Sequence, residues 1–383
     1  MSSLPKMVGA IAKCTNASYD AIVVGAGMAG LSVARELAKR RRRVLLLERE
    51  RTGGVASRAA AGILDPYAEA ERTAPLFQIG LKALEFYPSL LREISKSPAR
   101  DVEYEKQGVL YLAFNETDEK FLKGRFAWQK KKGLSVEFLS RSETKKTEPS
   151  VRNGVRSGVY YPEVPKLNAD KLVGALFRAA ETAGVQIKTS VKNLSLWEEK
   201  GKVRGVRFSQ GRAESPVVVA ARGCWSGVDR ALGIKIKVKP VRGQILILRS
   251  RPECYPKHIL HTVRYAYVVP WPKGRLLVGS TLESAGFNNR VTSAGKEDIL
   301  NRASEIYEEI RELPVVRTWA GLRPYAEGSA PVIGPTRIKG LFFAAGYYRS
   351  GILISPFVGK LLAEGIVSGK FSPLLRPFFP SSV

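Results

Sequence analysis

The sequence predicts an α/β fold built around a buried parallel sheet. Its composition is that of a globular protein, since 44% of the 383 residues are hydrophobic and 25% are charged. A complete strand–helix–strand unit over residues 20–48 gives the first local evidence. Short apolar runs separated by helical segments continue to residue 366, as expected for one large domain or two smaller ones.

The first unit contains two buried strands and a helix. The apolar, β-branched run Asp20–Val24 predicts a strand buried on both faces. Leu31–Arg43 repeats its apolar residues at helical spacing, and Val44–Leu47 predicts the neighbouring strand. Glu48 follows this second strand, where an acidic residue can accept hydrogen bonds from ribose hydroxyls.

A glycine-rich turn, Gly25–Gly30, connects the first strand to the helix. Gly25 permits a tight turn, Gly27 leaves the backbone open to a pyrophosphate, and Gly30 allows the helix to pack closely on the strand. The helix N-terminus would present N–H groups to the phosphates. The unit therefore predicts a dinucleotide-binding site, without choosing between NAD and FAD.

Residues 51–64 favour a large ligand. This segment is rich in small residues and has almost no helical or strand periodicity. Long irregular loops in compact domains are usually functional. Small side chains here would let the backbone approach a large planar group.

The remaining elements follow from apolar periodicity and capping residues. Helices are predicted at residues 74–94, 117–132, 169–183 (with Asn168 as the N-cap), 298–312 and 352–366. Strands are predicted at residues 108–114, 185–189, 203–209, 216–221 and 341–345, with 244–249, 265–269 and 275–279 in a second sheet.

Charge restricts the classes of function. The 62 Lys and Arg residues outnumber the 35 Asp and Glu residues, and the net charge of +27 permits binding to nucleic acid or to anionic membranes. The chain carries no nucleic-acid-binding signature, so we expect a basic surface and no nucleic-acid partner. No apolar run reaches the ~18–20 residues that cross a bilayer.

Cysteine and histidine are scarce. The three cysteines, Cys14, Cys224 and Cys254, are far apart, and the two histidines are His258 and His261. This spacing predicts neither a disulfide framework nor a metal site. A cytoplasmic location is the simplest interpretation, and residues 1–19 leave an organellar transit peptide open.

Six motifs occur in an order that resembles one known family. They are residues 20–48, Gly53–Leu64, Gly223–Ser226, Val241–Gln244, Thr318–Pro324 and Gly346–Ile352. The sequence looks like the FAD-dependent D-amino-acid oxidase superfamily, and most like its glycine oxidase branch, the ThiO type of thiamine synthesis. The resemblance covers nearly all of residues 20–368.

The resemblance implies a Rossmann-like FAD-binding domain interleaved with an α+β substrate domain built on an antiparallel sheet. The FAD-binding domain would comprise residues 18–90, 155–232 and 318–370. The substrate domain would comprise residues 91–154 and 233–317, with terminal extensions at 1–17 and 371–383. Some relatives attach flavin covalently through a cysteine near the carboxy terminus. No cysteine follows Cys254 here, so the implied FAD is non-covalent.

The resemblance also implies which residues bind FAD. They belong to the first glycine turn, the loop beside the pyrophosphate and isoalloxazine, an adenine contact, a second turn and the carboxy-terminal loop over the flavin. They are Gly25, Gly27, Met28, Ala29, Gly30, Glu48, Arg49, Ser57, Ala60, Ala61, Gly62, Val191, Gly223, Trp225, Gly346, Arg349, Ser350, Gly351 and Ile352.

Four side chains match substrate-pocket positions of the family. Arg323 matches the arginine that clamps the substrate carboxylate, which a planar guanidinium can do through two parallel hydrogen bonds. Tyr267 matches the tyrosine that adds a third contact. Arg349 matches an arginine near the flavin, with a structural ion pair as the alternative, and Tyr265 matches a pocket residue.

Three positions depart from the family pattern. Tyr347 and Ser350 stand where glycine oxidases often carry His and Asn. Arg222 replaces the usual small residue before Gly223. The first two lie by the flavin, so they bear on substrate preference more than on cofactor binding.

The implied reaction oxidises the α-amine of glycine, sarcosine or a small D-amino acid to an imine. Hydride would pass from Cα to flavin N5, and O2 would reoxidise the flavin and give H2O2. A homo-oligomer is also expected. Three alternatives stay open: a proline or secondary-amine dehydrogenase, an FAD enzyme acting on a carboxymethylaminomethyl group of tRNA, and a non-catalytic FAD-binding protein.

Overall fold

A computed structural model describes residues 18–50, 54–69, 74–228, 236–252, 255–264 and 266–380. The proposed transit segment, apart from its last two residues, lies outside the described residues. So do Cys14, Cys254 and Tyr265.

The described residues form a mixture of strands and helices. The strands are β1 (Ala21–Val24), β2 (Val44–Leu47), β3 (Glu105–Lys106), β4 (Val109–Ala113), β5 (Glu137–Ser140), β6 (Ser157–Tyr161), β7 (Pro165–Lys166), β8 (Gln186–Lys188), β9 (Ser195–Glu199), β10 (Lys202–Phe208), β11 (Gly211–Glu214), β12 (Val218–Ala220), β13 (Val238–Arg249), β14 (Ile259–Thr262), β15 (Tyr267–Trp271), β16 (Arg275–Gly279), β17 (Val315–Ala326), β18 (Val332–Pro335) and β19 (Leu341–Ala345). The α-helices are α1 (Met28–Lys39), α2 (Val55–Arg58), α3 (Ala74–Ile94), α4 (Pro98–Asp101), α5 (Glu116–Lys131), α6 (Arg141–Thr147), α7 (Ala169–Thr182), α8 (Ser293–Ala303) and α9 (Gly351–Ser368).

The first sheet has six strands in the order β18-β19-β12-β1-β2-β8. Its pairs are parallel except β18–β19. One face packs against α1, α3, α7 and α9 through residues such as Val23, and the other packs against the β9–β11 sheet through residues such as Ile22. Burial on both faces explains why β1 and β2 are uninterrupted apolar runs, and the predicted parallel sheet is confirmed.

The second sheet has eight strands in the order β17-β13-β16-β15-β14-β4-β6-β5. All pairs are antiparallel except β14–β4. One face packs against α8 and the 3-10 helix Glu308–Glu312, and the other packs against α5 and faces the first sheet's helical layer. Side chains alternate between these faces, as Leu110 and Tyr111 of β4 show.

Sheet membership differs from the expected domain division at two places. Residues 157–161 form β6 and residues 318–326 belong to β17, and both strands hydrogen-bond within the second sheet although the expected boundaries assign them to the FAD-binding domain. Each of these strands joins the sheet of its hydrogen-bonding partners, which are β4 and β5 for β6 and β13 for β17. The domain boundaries stay a prediction.

The helix predicted over 31–43 lies earlier in the structure, since α1 spans Met28–Lys39, and the helix predicted over 298–312 is wrong in its extent. The segment 298–312 contains the end of α8, which begins at Ser293 after the N-cap Thr292, and a separate 3-10 helix over Glu308–Glu312. The chain leaves the α-helix after Ala303 because Ile306, Tyr307 and Ile310 turn into the core of the second sheet. Their apolar spacing imitates a continuous helix.

Helix α9 is long and apolar enough to cross a membrane by length and composition alone. Lys360 and Glu364 interrupt its apolar sequence, and 61% of the helix is buried within the protein. It packs against α1 and α3, as core helices of globular proteins do.

Candidate active site

A cavity of about 590 Å³ lies at the carboxyl edge of the first sheet and reaches the second sheet. The parallel strands β1, β2 and β12 end at this edge, and the residues that follow them line the cavity. Ligands of open parallel sheets bind at this edge. The volume lies within the range of small-molecule and cofactor sites.

The first glycine turn is shaped by close backbone contacts. Gly25 has φ +107°, and a Cβ atom there would overlap the carbonyl oxygen of Ala221. A Cβ atom on Gly30 would overlap the carbonyl oxygen of Gly25, so the helix can approach the strand only with glycine there. Gly27 has room for a side chain on the protein side and forms the open N-cap of α1.

Polar groups surround the N-terminus of α1. The Met28 N–H donates to Ser57 Oγ at 3.1 Å, which draws the loop of α2 against the helix. The Glu48 carboxylate accepts from the N–H of Ala26 at 2.6 Å and from the N–H of Glu50 at 2.8 Å. These bonds hold Glu48 at the cavity wall, where its remaining lone pairs can accept from a ligand.

Two arginines line the same end of the cavity. The Arg49 guanidinium lies 4.0 Å from the centre of the Trp225 ring. Burial lowers the pKa of Arg222, and the neighbouring charge of Arg49 lowers it further. Val191 lies at this end of the cavity too, and the free thiol of Cys224 is buried behind it, with its pKa raised to about 12 by burial.

The N-terminus of α9 also faces the cavity, since Ser350, Gly351 and Ile352 line it. Its N-cap residue, Ser350, makes no side-chain capping bond. Ser350 Oγ and the Tyr347 hydroxyl are buried and have no hydrogen-bond partner among the described residues. Both residues line the cavity, so a polar ligand there would satisfy groups that the described protein atoms do not.

These features fit FAD. The N-termini of α1 and α9 face the same cavity, as suits a pyrophosphate at α1 and a polar ring at α9. The Glu48 carboxylate can accept hydrogen bonds from a ribose, and the glycine turn leaves room for the phosphates.

Arg323 lies where the cavity meets the second sheet. Its guanidinium donates to the carbonyl oxygen of Thr281 at 3.0 Å and to Ser280 Oγ at 2.7 Å. It lies directly over Gly243, where a Cβ atom would overlap it. Burial lowers its pKa, yet a guanidinium stays charged in proteins. In the described part of the chain no carboxylate forms an ion pair with Arg323.

Tyr267 lies beside Arg323. Its hydroxyl lies over Gly279, 2.5 Å from the position of a Cβ atom there, and it hydrogen-bonds with Ser280. Burial raises the pKa of the phenol, so it keeps its proton and can donate. Ser280 therefore contacts both Arg323 and Tyr267, and it is itself buried.

Arg349 adds positive charge at this end. Its guanidinium lies 5.7 Å from the Tyr348 ring, and its charge affects the pKa of Arg323 and of His261. Two cations near one buried end favour an anionic ligand group.

Nearly all the sequence-predicted site residues line this cavity. They are Gly25, Gly27, Met28, Ala29, Glu48, Arg49, Ser57, Ala60, Ala61, Gly62, Val191, Gly223, Trp225, Tyr267, Arg323, Arg349, Ser350, Gly351 and Ile352. Gly30 and Gly346 do not line it. They permit turns and packing instead, since a Cβ atom on Gly346 would lie 2.7 Å from that of Ala326.

Two cavity residues, Asp65 and His261, were missed by the sequence analysis. Asp65 Oδ1 accepts from the N–H of Tyr67 at 2.7 Å, and Oδ2 accepts from the Tyr111 hydroxyl at 2.6 Å. Burial raises the pKa of Asp65. The only sequence signal for Asp65 is an acid directly after the small-residue segment 51–64, and a histidine in a strand gives none for His261.

The chain belongs to the FAD-dependent oxidoreductase family (DAO), whose match covers residues 20–365. FAD is therefore its cofactor, in agreement with the fit of the cavity to FAD, and the protein is an FAD-dependent oxidoreductase.

Glycine oxidase from Geobacillus kaustophilus is 32% identical over 369 residues, which cover 94% of this chain and 96% of that protein. The crystal structure of glycine oxidase from the same organism has a TM-score of 0.88 at 30% identity, covering 96% of this chain and 99% of that one. The crystal structure of iminodiacetate oxidase from Chelativorans sp. BNC1 has a TM-score of 0.84 at 25% identity, covering 94% and 98%.

Proposed function

We propose that this protein oxidises the α-amine of glycine or another small amino acid and passes the electrons to O2. The observation that carries the proposal is the partly buried guanidinium of Arg323, which faces the cavity and forms no ion pair with a carboxylate in the described part of the chain, the charge of Glu283 acting on it only from a distance. A buried cation needs a counter-charge, and a substrate carboxylate supplies one. Relatives named glycine oxidase support the same substrate class.

Arg323 and Tyr267 would bind the carboxylate together. A guanidinium can form two parallel hydrogen bonds to a carboxylate, and the phenol can donate a third. Thr281 and Ser280 hold the guanidinium on its protein side, so its orientation is set before the substrate arrives. Three fixed donors would leave the substrate little rotational freedom.

FAD held in this cavity would supply the acceptor for a hydride from the substrate's Cα. The protein's contribution is orientation and electrostatics. Residues of the first turn, including Gly27 and Met28, would hold the pyrophosphate at the N-terminus of α1. Ser350 and the N-terminus of α9 would bind polar atoms of the ring. The second sheet would hold the amino acid against it through Arg323.

The test is direct. The purified protein should show the absorption spectrum of a flavin, and acid precipitation should release the flavin because it is not covalently attached. Peroxide formation is then measured with glycine, sarcosine, D-alanine, D-proline and L-proline. Turnover of glycine, sarcosine or D-alanine supports the proposal. Turnover of L-proline alone, or of none of them, would contradict it.

The role of Arg323 has its own prediction. Arg323→Ala removes the counter-charge of the carboxylate, and lost hydrogen bonds to a charged group cost on the order of 3 kcal/mol. The KM for glycine should therefore rise about a hundredfold. Steady-state kinetics with matched FAD content measures this, and an unchanged KM would remove Arg323 from the substrate site.

A further inference from the structure

The imidazole of His261 lies at the substrate end of the cavity. His261 of β14 is directly opposite Tyr267 of β15 in the antiparallel register. Its ring stacks on Tyr111 with centroids 4.7 Å apart, and it lies 5.9 Å from the Tyr267 ring. The two aromatic neighbours hold the imidazole in one orientation beside the carboxylate-binding residues.

A backbone hydrogen bond sets the tautomer of His261. Its Nδ1 lies 2.7 Å from the carbonyl oxygen of Thr262. A carbonyl oxygen only accepts, so Nδ1 carries the hydrogen and donates it. In the neutral ring the lone pair is then on Nε2.

The surroundings of the ring keep it neutral. Burial lowers the pKa of His261 to about 4, and the charges of Arg349 and Arg125 act in the same direction. Asp65, which lines the same cavity, is hydrogen-bonded to Tyr111 and not to the imidazole. At neutral pH Nε2 is therefore an acceptor, and it has no hydrogen-bond partner among the described residues.

An amino acid presents acceptors at its carboxylate and donors at its amine. Arg323 and Tyr267 supply donors, so the amine needs an acceptor nearby. Asp65 is less suited, because its carboxylate oxygens already accept from backbone N–H groups and from Tyr111. The Glu48 carboxylate is held at the first glycine turn by the N–H groups of Ala26 and Glu50, and not beside Arg323.

We propose that Nε2 of His261 accepts a hydrogen bond from the amine of the bound substrate. The inference rests on the proposed function, which supplies the carboxylate anchor. It makes His261 a specificity-determining residue, because it favours acids that carry a donor on Cα over simple carboxylic acids. A ring neutral at physiological pH accepts this bond without repelling a protonated amine.

The experiment compares ligands that differ only in the donor. His261→Phe keeps a ring against Tyr111 and removes the acceptor, while His261→Gln keeps an acceptor. His258→Phe is the matched control, since His258 hydrogen-bonds to Glu148 and does not line the cavity. For each variant, peroxide assays give the KM and kcat for glycine and the inhibition constants of acetate and glycolate. FAD content and thermal unfolding verify folding.

In His261→Phe, the KM for glycine should rise about tenfold, the effect of a lost hydrogen bond of about 1.4 kcal/mol. The inhibition constant of glycolate, whose hydroxyl is also a donor, should rise by a similar factor. The inhibition constant of acetate should change less than twofold. The KM of His261→Gln for glycine should fall between the values of wild type and His261→Phe. His258→Phe should resemble wild type.

Two results would overturn the role of His261 in an active enzyme: an unchanged KM for glycine in His261→Phe, or equal weakening of glycine and acetate. The acetate comparison is internal to each variant, so partial loss of folded protein cannot imitate the expected result. A wild-type protein that oxidises no amino acid contradicts the proposed function itself, and with it this inference.

Discussion

Ser280 shows how a small side chain can orient a binding site. Its hydroxyl contacts both the Arg323 guanidinium and the Tyr267 phenol. Ser280→Ala removes these contacts, each worth on the order of 1 kcal/mol. The KM for glycine should rise about fivefold with little change in kcat, because the carboxylate is held less firmly. Steady-state kinetics of the two proteins gives both constants.

Ser226→Ala is the control for that substitution. Ser226 Oγ is also buried, but it has no hydrogen-bond partner among the described residues and does not line the cavity. Its removal should leave the KM unchanged. Equal KM values in the two alanine variants would show that Ser280 does not position Arg323 and Tyr267.

His261 also links stability to pH. Its pKa of about 4 in the folded protein lies below the ordinary value of 6.5. Between these values the unfolded chain binds a proton that the folded chain does not, so acidification from pH 7 to 4.5 favours unfolding by about 2 kcal/mol through this group. His261→Gln should lose correspondingly less stability over that range. Urea unfolding at both pH values measures the difference, and equal losses would contradict the assigned cause.

Individual residues differed in how far the sequence could predict them. Arg323 and Tyr267 could be found because recognisable motifs surround them, and the structure brings both to the cavity. His261 could not, since its importance comes from a contact across strands with Tyr111 and from its own backbone bond at Thr262. A single sequence carries no local signal for either contact.

Strand β13 places a glycine under the substrate clamp. Gly243 pairs with Gly321 of β17, and the Arg323 side chain extends back over Gly243. In Gly243→Ala the new methyl group would overlap the guanidinium, which is the movable end of a long side chain. The KM for glycine should rise at least tenfold, whereas the thermal unfolding temperature should fall by only a few degrees.

Gly124→Ala provides the comparison for that variant. Gly124 is in α5, and a Cβ atom there would meet nothing within 4 Å. Alanine is favoured over glycine inside a helix by about 1 kcal/mol, so this variant should be slightly more stable and kinetically normal. If Gly243→Ala has a normal KM for glycine, substrate binding does not require the close approach of Arg323 to β13.

Elements were predictable where one physical cause determined the pattern. Residues of β1, α1 and β2 were anticipated because burial on two faces and helical spacing leave clear apolar signatures. The break between α8 and the 3-10 helix at Glu308–Glu312 was not anticipated, because Ile306 and Ile310 enter the core with nearly helical spacing and so predict one helix over 298–312. Strand β17 was not anticipated, and its pairing with β13 is a tertiary effect.

FAD should stabilise the whole molecule, because its cavity is lined by both large sheets. A ligand at a hundred times its dissociation constant stabilises the folded state by about 2.7 kcal/mol. Removing FAD should therefore lower the unfolding temperature, and adding it back should restore it. FMN should restore less, since it lacks the adenosine that Glu48 and Val191 would contact. Scanning calorimetry with each nucleotide measures this, and equal recovery with both would argue against the adenosine contacts.

The net charge of +27 is a property of the entire surface. Arginines such as Arg49, Arg222 and Arg349 bring part of it to the cavity, where it suits phosphates and carboxylates. The cytoplasmic location, the homo-oligomer and the lack of a nucleic-acid partner stay predictions.

Among the described residues, the chain crosses between the two large sheets four times, after β2, β6, β12 and β17. No single cleavage point can therefore release either half as an intact module. A truncated gene for a minimal flavoprotein would lose strands from the sheet that it was meant to keep. Chimaeras with related oxidases would instead have to exchange several separate segments at once, with their junctions at those four crossings.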